Sequence, residues 1–99
     1  MALKRSENFP IIYPGEMLGD ELAYREITIS KAAEMLGISR VSLSNIVHGK
    51  SAITANVALR IATVFGGTAD IWVRLQADYD LRVAEKEFKK NPPKLQSVA

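Results

Sequence analysis

The window from Thr28 to Gly49 constrains this chain more than any other: Thr28-Ile-Ser-Lys-Ala-Ala-Glu-Met-Leu-Gly-Ile-Ser-Arg-Val-Ser-Leu-Ser-Asn-Ile-Val-His-Gly49. Apolar residues recur at helical spacing on either side of Gly37, so the window reads as helix, turn, helix. Ala33 is small where the two helices must cross. Gly37 suits the left-handed position that ends the first helix, because it has no Cβ to clash there. Ile38 plugs the elbow, and Ser39 is a side-chain acceptor placed to cap the second helix. Leu43, Ile46 and Val47 point inward and leave the opposite face of that helix free.

The rest of the chain supplies three more helices. Pro14 suits a helix start, where its missing N–H is not needed, and helix 1 is expected from Gly15 to Glu26 with Leu18 and Leu22 as its core pair. Helix 2 is expected over Ile29–Leu36 with Thr28 as N-cap; Lys31 stands where a capping box would need Glu or Gln. Ala32, Ala33 and Leu36 face its core. Helix 3 is expected from Arg40 to His48, closed by Gly49. Helix 4 is expected from Ala55 to Phe65, capped by Thr54 and ended by Gly66-Gly67, with Val57, Ala58, Ile61, Ala62 and Phe65 as its buried set. Helix 5 starts after Thr68 and runs to about Lys90, where Asn91-Pro92-Pro93 stops it. The expected fold is all-α. Met1–Tyr13 form an N-terminal arm, in which Ile11, Ile12 and Tyr13 either fold back on the core or pair in extended form. Residues 14–90 form the domain, and 91–99 a flexible tail.

A free helix face of short polar residues is suited to the floor of the DNA major groove, with the preceding helix across the backbone. A merely solvated helix favours Glu, Lys and Ala over Ser and Asn. The net charge is only +2, but it is unevenly spread. Between Arg25 and Arg60 the cations Arg25, Lys31, Arg40, Lys50 and Arg60 face only Glu26 and Glu34, so the excess sits where phosphates would be met. Arg40 is suited to guanine O6 and N7, and Asn45 to adenine N6 and N7. Ser39, Ser42 and Ser44 can serve a base edge or a phosphate. Thr28, Ser30 and Lys31 at the start of helix 2 suit phosphates. Lys50, Ser51 and Thr54 do the same on the far side.

Other features read more plainly. Trp72, Leu75 and Tyr79 make a stripe on helix 5 that serves the core, a dimer seam, or both in part. A two-fold dimer would set two reader helices about one DNA turn apart, roughly 34 Å. Asp78 and Asp80 do not face each other on a helix, which argues against a metal pair and for solvation or salt bridges with Arg74 or Arg82. His48, the one histidine, suits a helix end or a phosphate neighbour. Lys86, Lys89 and Lys90 read as a solvated helix end. Gly66-Gly67 lacks the Lys-Ser or Lys-Thr of a phosphate loop. There is no cysteine, which excludes disulfides, thiolate metal sites and a cysteine nucleophile. No catalytic constellation, metal site or cofactor motif is evident, so a non-enzymatic protein is expected. With no apolar run of membrane length and no signal-type stretch, a cytoplasmic location is expected, without membrane association.

Beyond the central window, the chain resembles the HigA family of antitoxins (VapI-type), a branch of the Xre/Cro-like, lambda-repressor-like regulators. The resemblance rests on Pro14-Gly15-Glu16 with Leu18 and Leu22; on Gly37-Ile-Ser-Arg40 and Gly49-Lys50; on Ile53-Thr54 with Ala58-Leu-Arg-Ile-Ala62; and on Phe65-Gly-Gly-Thr68. It extends through Ile71-Trp72-Val-Arg-Leu75-Gln76-Ala77-Asp78-Tyr79-Asp80-Leu81, and so covers roughly Ile12 to Glu87. It implies a five-helix helix-turn-helix domain with a long C-terminal helix and a homodimer. It also implies binding to a palindromic operator in the chain's own promoter, and neutralisation of a RelE-like, mRNA-cleaving toxin of HigB type. Family readers would correspond to Ser39, Ser42 and Asn45. A stand-alone phage-repressor-type regulator with no toxin is the alternative, and a protein-interaction module that no longer reads DNA is a third.

Overall fold

A computed structural model describes residues 10–98. In order, the helices are α1 (Pro14–Tyr24), α2 (Ile29–Leu36), α3 (Arg40–Val47), α4 (Ala55–Phe65) and α5 (Ala69–Lys90). There is no strand among the described residues. The arm is described only from Pro10, residues 1–9 lying outside the described part. Tyr13 folds back, its ring lying beside Gly49, where an added Cβ would meet it at 3.2 Å, and edge-on to Tyr79, centroids 6.3 Å apart.

Local chemistry accounts for most of the helix boundaries. Thr28, Ser39 and Thr54 each accept a hydrogen bond from the backbone N–H three residues on, at Lys31, Ser42 and Val57. Thr28 thus caps α2 without a capping-box partner. Three helices end in one motif, in which two successive N–H groups beyond the helix bond back to the carbonyls three and five residues before them. For α2 these are Ile38 N to Ala33 O and Gly37 N to Glu34 O. For α3 they are Lys50 N to Asn45 O and Gly49 N to Ile46 O. For α1 they are Ile27 N to Leu22 O and Glu26 N to Ala23 O. Gly37 and Gly49 have φ of 70° and 77°, and the same position in α1 is held by Glu26 at φ 56°. The first helix therefore stops at Tyr24, two residues short of the expected end. No glycine marks the place, and the turn is imposed by Ile27 docking on the core.

The core holds Leu18, Leu22, Ala32, Ala33, Leu36, Leu43, Ile46, Ile53, Ala58 and Ile61. The inward residues expected of α2 and the pair expected of α1 (Leu18, Leu22) are buried; of the three expected of α3, Leu43 and Ile46 are buried and Val47 is half-buried. Of the α4 set, packed between α2 and α5, only Ala58 and Ile61 are buried; Val57, Ala62 and Phe65 are half-buried. A Cβ on Gly15 would lie 1.7 Å from the Ile46 carbonyl oxygen, and one on Gly19 would lie 2.8 Å from Val47 Cγ1. The two glycines, one helical turn apart, let α1 cross α3 backbone to backbone.

Helix α5 begins on the core and leaves it. Trp72 packs against the core cluster, Gln76 is buried, and from Val83 onward every described residue is exposed. The radius of gyration is 16.2 Å, against about 13 Å for a compact chain of this length. At its start, the Thr68 side-chain hydrogen bond holds the Asp70 carboxyl below its ordinary value, against slight desolvation, with the Arg74 guanidinium helping. Arg74 pairs with Asp70 at 3.5 Å, and Asp80, exposed, accepts a hydrogen bond from Gln76 Nε2 at 3.0 Å. Gly66 closes α4, its N–H bonding to Ala62 O.

Candidate nucleic-acid interface

The anchoring of α3 decides what it can present. With Leu43 and Ile46 buried and about 3.6 residues per turn, the outward direction passes through Val41. Arg40, Ser44, Asn45 and His48 lie around it. Arg40 and His48 are exposed, and Ser44 and Asn45 half-buried. Ser39 and Ser42 sit at the N-terminal end. The Ser39 hydroxyl donates to Ser42 Oγ at 2.8 Å while accepting from Ser42 N at 3.0 Å. Its donor is thus committed within the helix end, while the Ser42 hydroxyl keeps a donor to give. His48 Nδ1 lies 2.7 Å from the Ser44 carbonyl oxygen. A carbonyl only accepts, so in this contact Nδ1 carries the hydrogen.

The other expected contact residues fall in two flanking segments. Thr28, Ser30 and Lys31 form the N-terminal turn of α2, all exposed, with Lys31 Nζ 3.8 Å from Glu34 Oε1. At the other end of α3, Lys50 and Ser51 follow Gly49 and are exposed, as is Thr54. The amides of Lys50 and Ser51 both bond to the Asn45 carbonyl oxygen, which fixes where this segment leaves the helix.

Two cations counted toward the central positive excess are occupied elsewhere. The Arg60 guanidinium bonds Asn56 Oδ1 at 2.7 Å and the carbonyls of Leu36 and Gly37 at 2.9 and 3.1 Å, closing the C-terminus of α2. Arg25 pairs with Glu21 at 2.7 Å and lies 5.3 Å over the Phe65 ring. Lys31, Arg40 and Lys50 are exposed, Lys31 lying 3.8 Å from Glu34 on its own helix. The spacing of Asn56 and Arg60, four apart on one helix, was the available sign of Arg60's role.

Sequence reasoning also missed what Gln76 does. Its Oε1 accepts from Ile53 N at 2.9 Å, in a buried position, and its Nε2 donates to Asp80. The loop leaving α3 is thereby tied to α5. An amide inside the Trp72, Leu75, Tyr79 stripe was the sign. Those three residues are half-buried within the single chain, while the exposed large apolar side chains of α5 are Ile71, Val73, Leu81, Val83 and Phe88.

The helix-turn-helix family matches residues 23–72, half of the chain. Virulence-associated protein I of Dichelobacter nodosus is 36% identical over 89 residues, covering 88% of this chain and 82% of that protein. The structure of an addiction module antidote protein of a HigA family from Coxiella burnetii is 33% identical, with a TM-score of 0.76, over 88% of this chain and 100% of that one. The chain belongs to the HigA family of helix-turn-helix antitoxins. A further HigA structure, the Pseudomonas aeruginosa antitoxin with the higBA promoter, is 29% identical with a TM-score of 0.81, over 91% of this chain and 100% of that one. The five-helix all-α architecture is the HigA fold, and this HigA-family protein is a DNA-binding regulator of the antitoxin type. No helix among the described residues is long and apolar enough to cross a membrane.

Proposed function

We propose that this HigA-family protein is the antitoxin of a type II toxin–antitoxin pair, binding a palindromic operator before its own gene and neutralising a RelE-like, mRNA-cleaving toxin of HigB type in the cytoplasm. The observation that carries the DNA half is the outward face of α3, where Arg40, Ser44 and Asn45 project from a helix held by Leu43 and Ile46. In this reading Arg40 bonds guanine, Asn45 bonds adenine, Ser42 and Ser44 serve base edges or phosphates, and Ser39, its donor held by Ser42, accepts from a base edge. Thr28, Ser30, Lys31, Lys50, Ser51 and Thr54 hold the flanking phosphates. The toxin half rests on kinship: the Coxiella burnetii relative is named an addiction module antidote.

The protein acts as a homodimer, with residues 14–90 as one DNA-binding and dimerising unit. Helix α5 is the dimerising element, since it carries the half-exposed Trp72, Leu75 and Tyr79 and then leaves the core with Leu81 and Phe88 uncovered. A monomer would leave this apolar surface in water.

The test is a titration against the DNA upstream of the chain's own gene, with sizing of the complex. Two chains per palindrome, with affinity falling steeply as salt rises, is the expected result. No binding at low salt would remove the DNA reading and favour a partner-binding module. Co-expression with the neighbouring gene product tests the toxin half: a stable complex that relieves growth arrest is expected, and no complex would overturn it.

A further inference from the structure

The outward face of α3 has an apolar centre. Val41 is 67% exposed and points directly away from Leu43 and Ile46, between Arg40 and the next turn's Ser44 and Asn45. A lone exposed apolar residue is ordinary on a protein surface, so its exposure alone says little. Its position says more. A β-branched residue in an exposed helical turn is a poorer helix former than Ala, Lys or Glu, and here it gains nothing from the core. The other valine of the helix, Val47, is half-buried and packs against the core. The polar groups nearest Val41 along this face are partly engaged with each other, Ser44 Oγ lying 3.3 Å from His48 Nδ1.

We infer that Val41 is a specificity-determining residue that reads the C5-methyl group of a thymine in each half-site. This rests on the DNA reading above. An isopropyl group makes no hydrogen bond. On the major-groove edges of the four bases, the thymine methyl is the apolar group it can match. Against the cytosine amino group, or the purine acceptors, Val41 would strip water from a polar atom and return nothing. Arg40 and Asn45 then read hydrogen-bonding bases on either side of a position read by apolar contact.

The experiment is a uracil scan of the chain's own upstream DNA, since uracil differs from thymine only by that methyl. Affinities of the full chain and of Val41→Ala are measured by fluorescence anisotropy at one salt concentration. One thymine per half-site is expected to lose about fourfold in affinity on conversion to uracil, the worth of one buried methyl-sized group. Val41→Ala should lose a comparable factor on thymine DNA and no longer distinguish thymine from uracil at that position. Val41→Thr, which keeps the branched shape and a methyl, should retain part of the discrimination. The assignment is overturned if the full chain binds tightly but no thymine-to-uracil effect depends on Val41. That outcome leaves the operator reading standing, whereas failure of the full chain to bind any upstream DNA removes both.

Discussion

Replacing Gly15 by Ala is expected to damage both the fold and the placement of α3. The added Cβ would lie 1.7 Å from the Ile46 carbonyl oxygen and 2.7 Å from its carbon, where real Cβ contacts do not fall below 3.0 Å. The obstacle is backbone, so no rotamer change relieves it. Helix α1 must retreat from α3 by at least the difference, about 1.3 Å. Overpacking of this kind costs typically about 1–3 kcal/mol. The helix-propensity gain of Ala over Gly offsets at most about 1 kcal/mol. Because the clash is with backbone and is this deep, the cost falls in the upper part of that range, so a net loss of roughly 1–2 kcal/mol remains, or about 4–16 °C in Tm for a domain of this size. Gly19→Ala is the control. Its clash, at 2.8 Å, is with Val47 Cγ1, the end of a side chain that can give, so its loss should be clearly smaller. Thermal melts followed by far-ultraviolet circular dichroism, at matched chain concentration, compare the two. An unchanged or raised Tm for Gly15→Ala, or a larger loss at Gly19, would refute the close-crossing argument.

Further outcomes follow from single contacts. Gln76→Leu should leave the buried Ile53 N–H unpaired and cost about 1–3 kcal/mol. Urea unfolding and hydrogen exchange at the Ile53 amide check it, and unchanged exchange there would discount the tie between α5 and the loop. Glu26→Gly should stabilise the domain by about 0.5–1 kcal/mol, the left-handed strain relieved less the greater unfolded freedom of glycine; a lower Tm would contradict it. Asn45→Ala should lose about 1–3 kcal/mol of operator affinity and relax selectivity at one base position. Lys31→Ala, by contrast, should weaken all DNA sequences alike and flatten the salt dependence, so a sequence-selective loss would speak against a phosphate role.

Much of this architecture was legible because its determinants are local. Thr28, Ser39 and Thr54 cap helices whose first N–H groups lie within three residues, and Gly37 and Gly49 take up left-handed turns at the positions their lack of a Cβ makes cheap. Periodicity separated Leu43 and Ile46 from the outward face of α3, and the same projection places Val41 at the centre of that face. What depended on pieces distant in sequence could not be read so directly. Gly15 and Gly19 look like weak points of a helix until Ile46 and Val47 are laid against them. Glu26 carries no local sign of a left-handed turn, which Ile27 imposes by docking on the core. Arg60 and Arg25 counted as cations for phosphate until tertiary packing set one on the carbonyls of Leu36 and Gly37 and the other over Phe65. Gln76 finds its partner 23 residues away at Ile53. The sequence by itself determined the helices, their caps and the polar face of the reader. Only the tertiary structure decided how closely α1 meets α3 and which charged and polar groups remain for a partner, because a side chain's free valences are known only once its neighbours are in place.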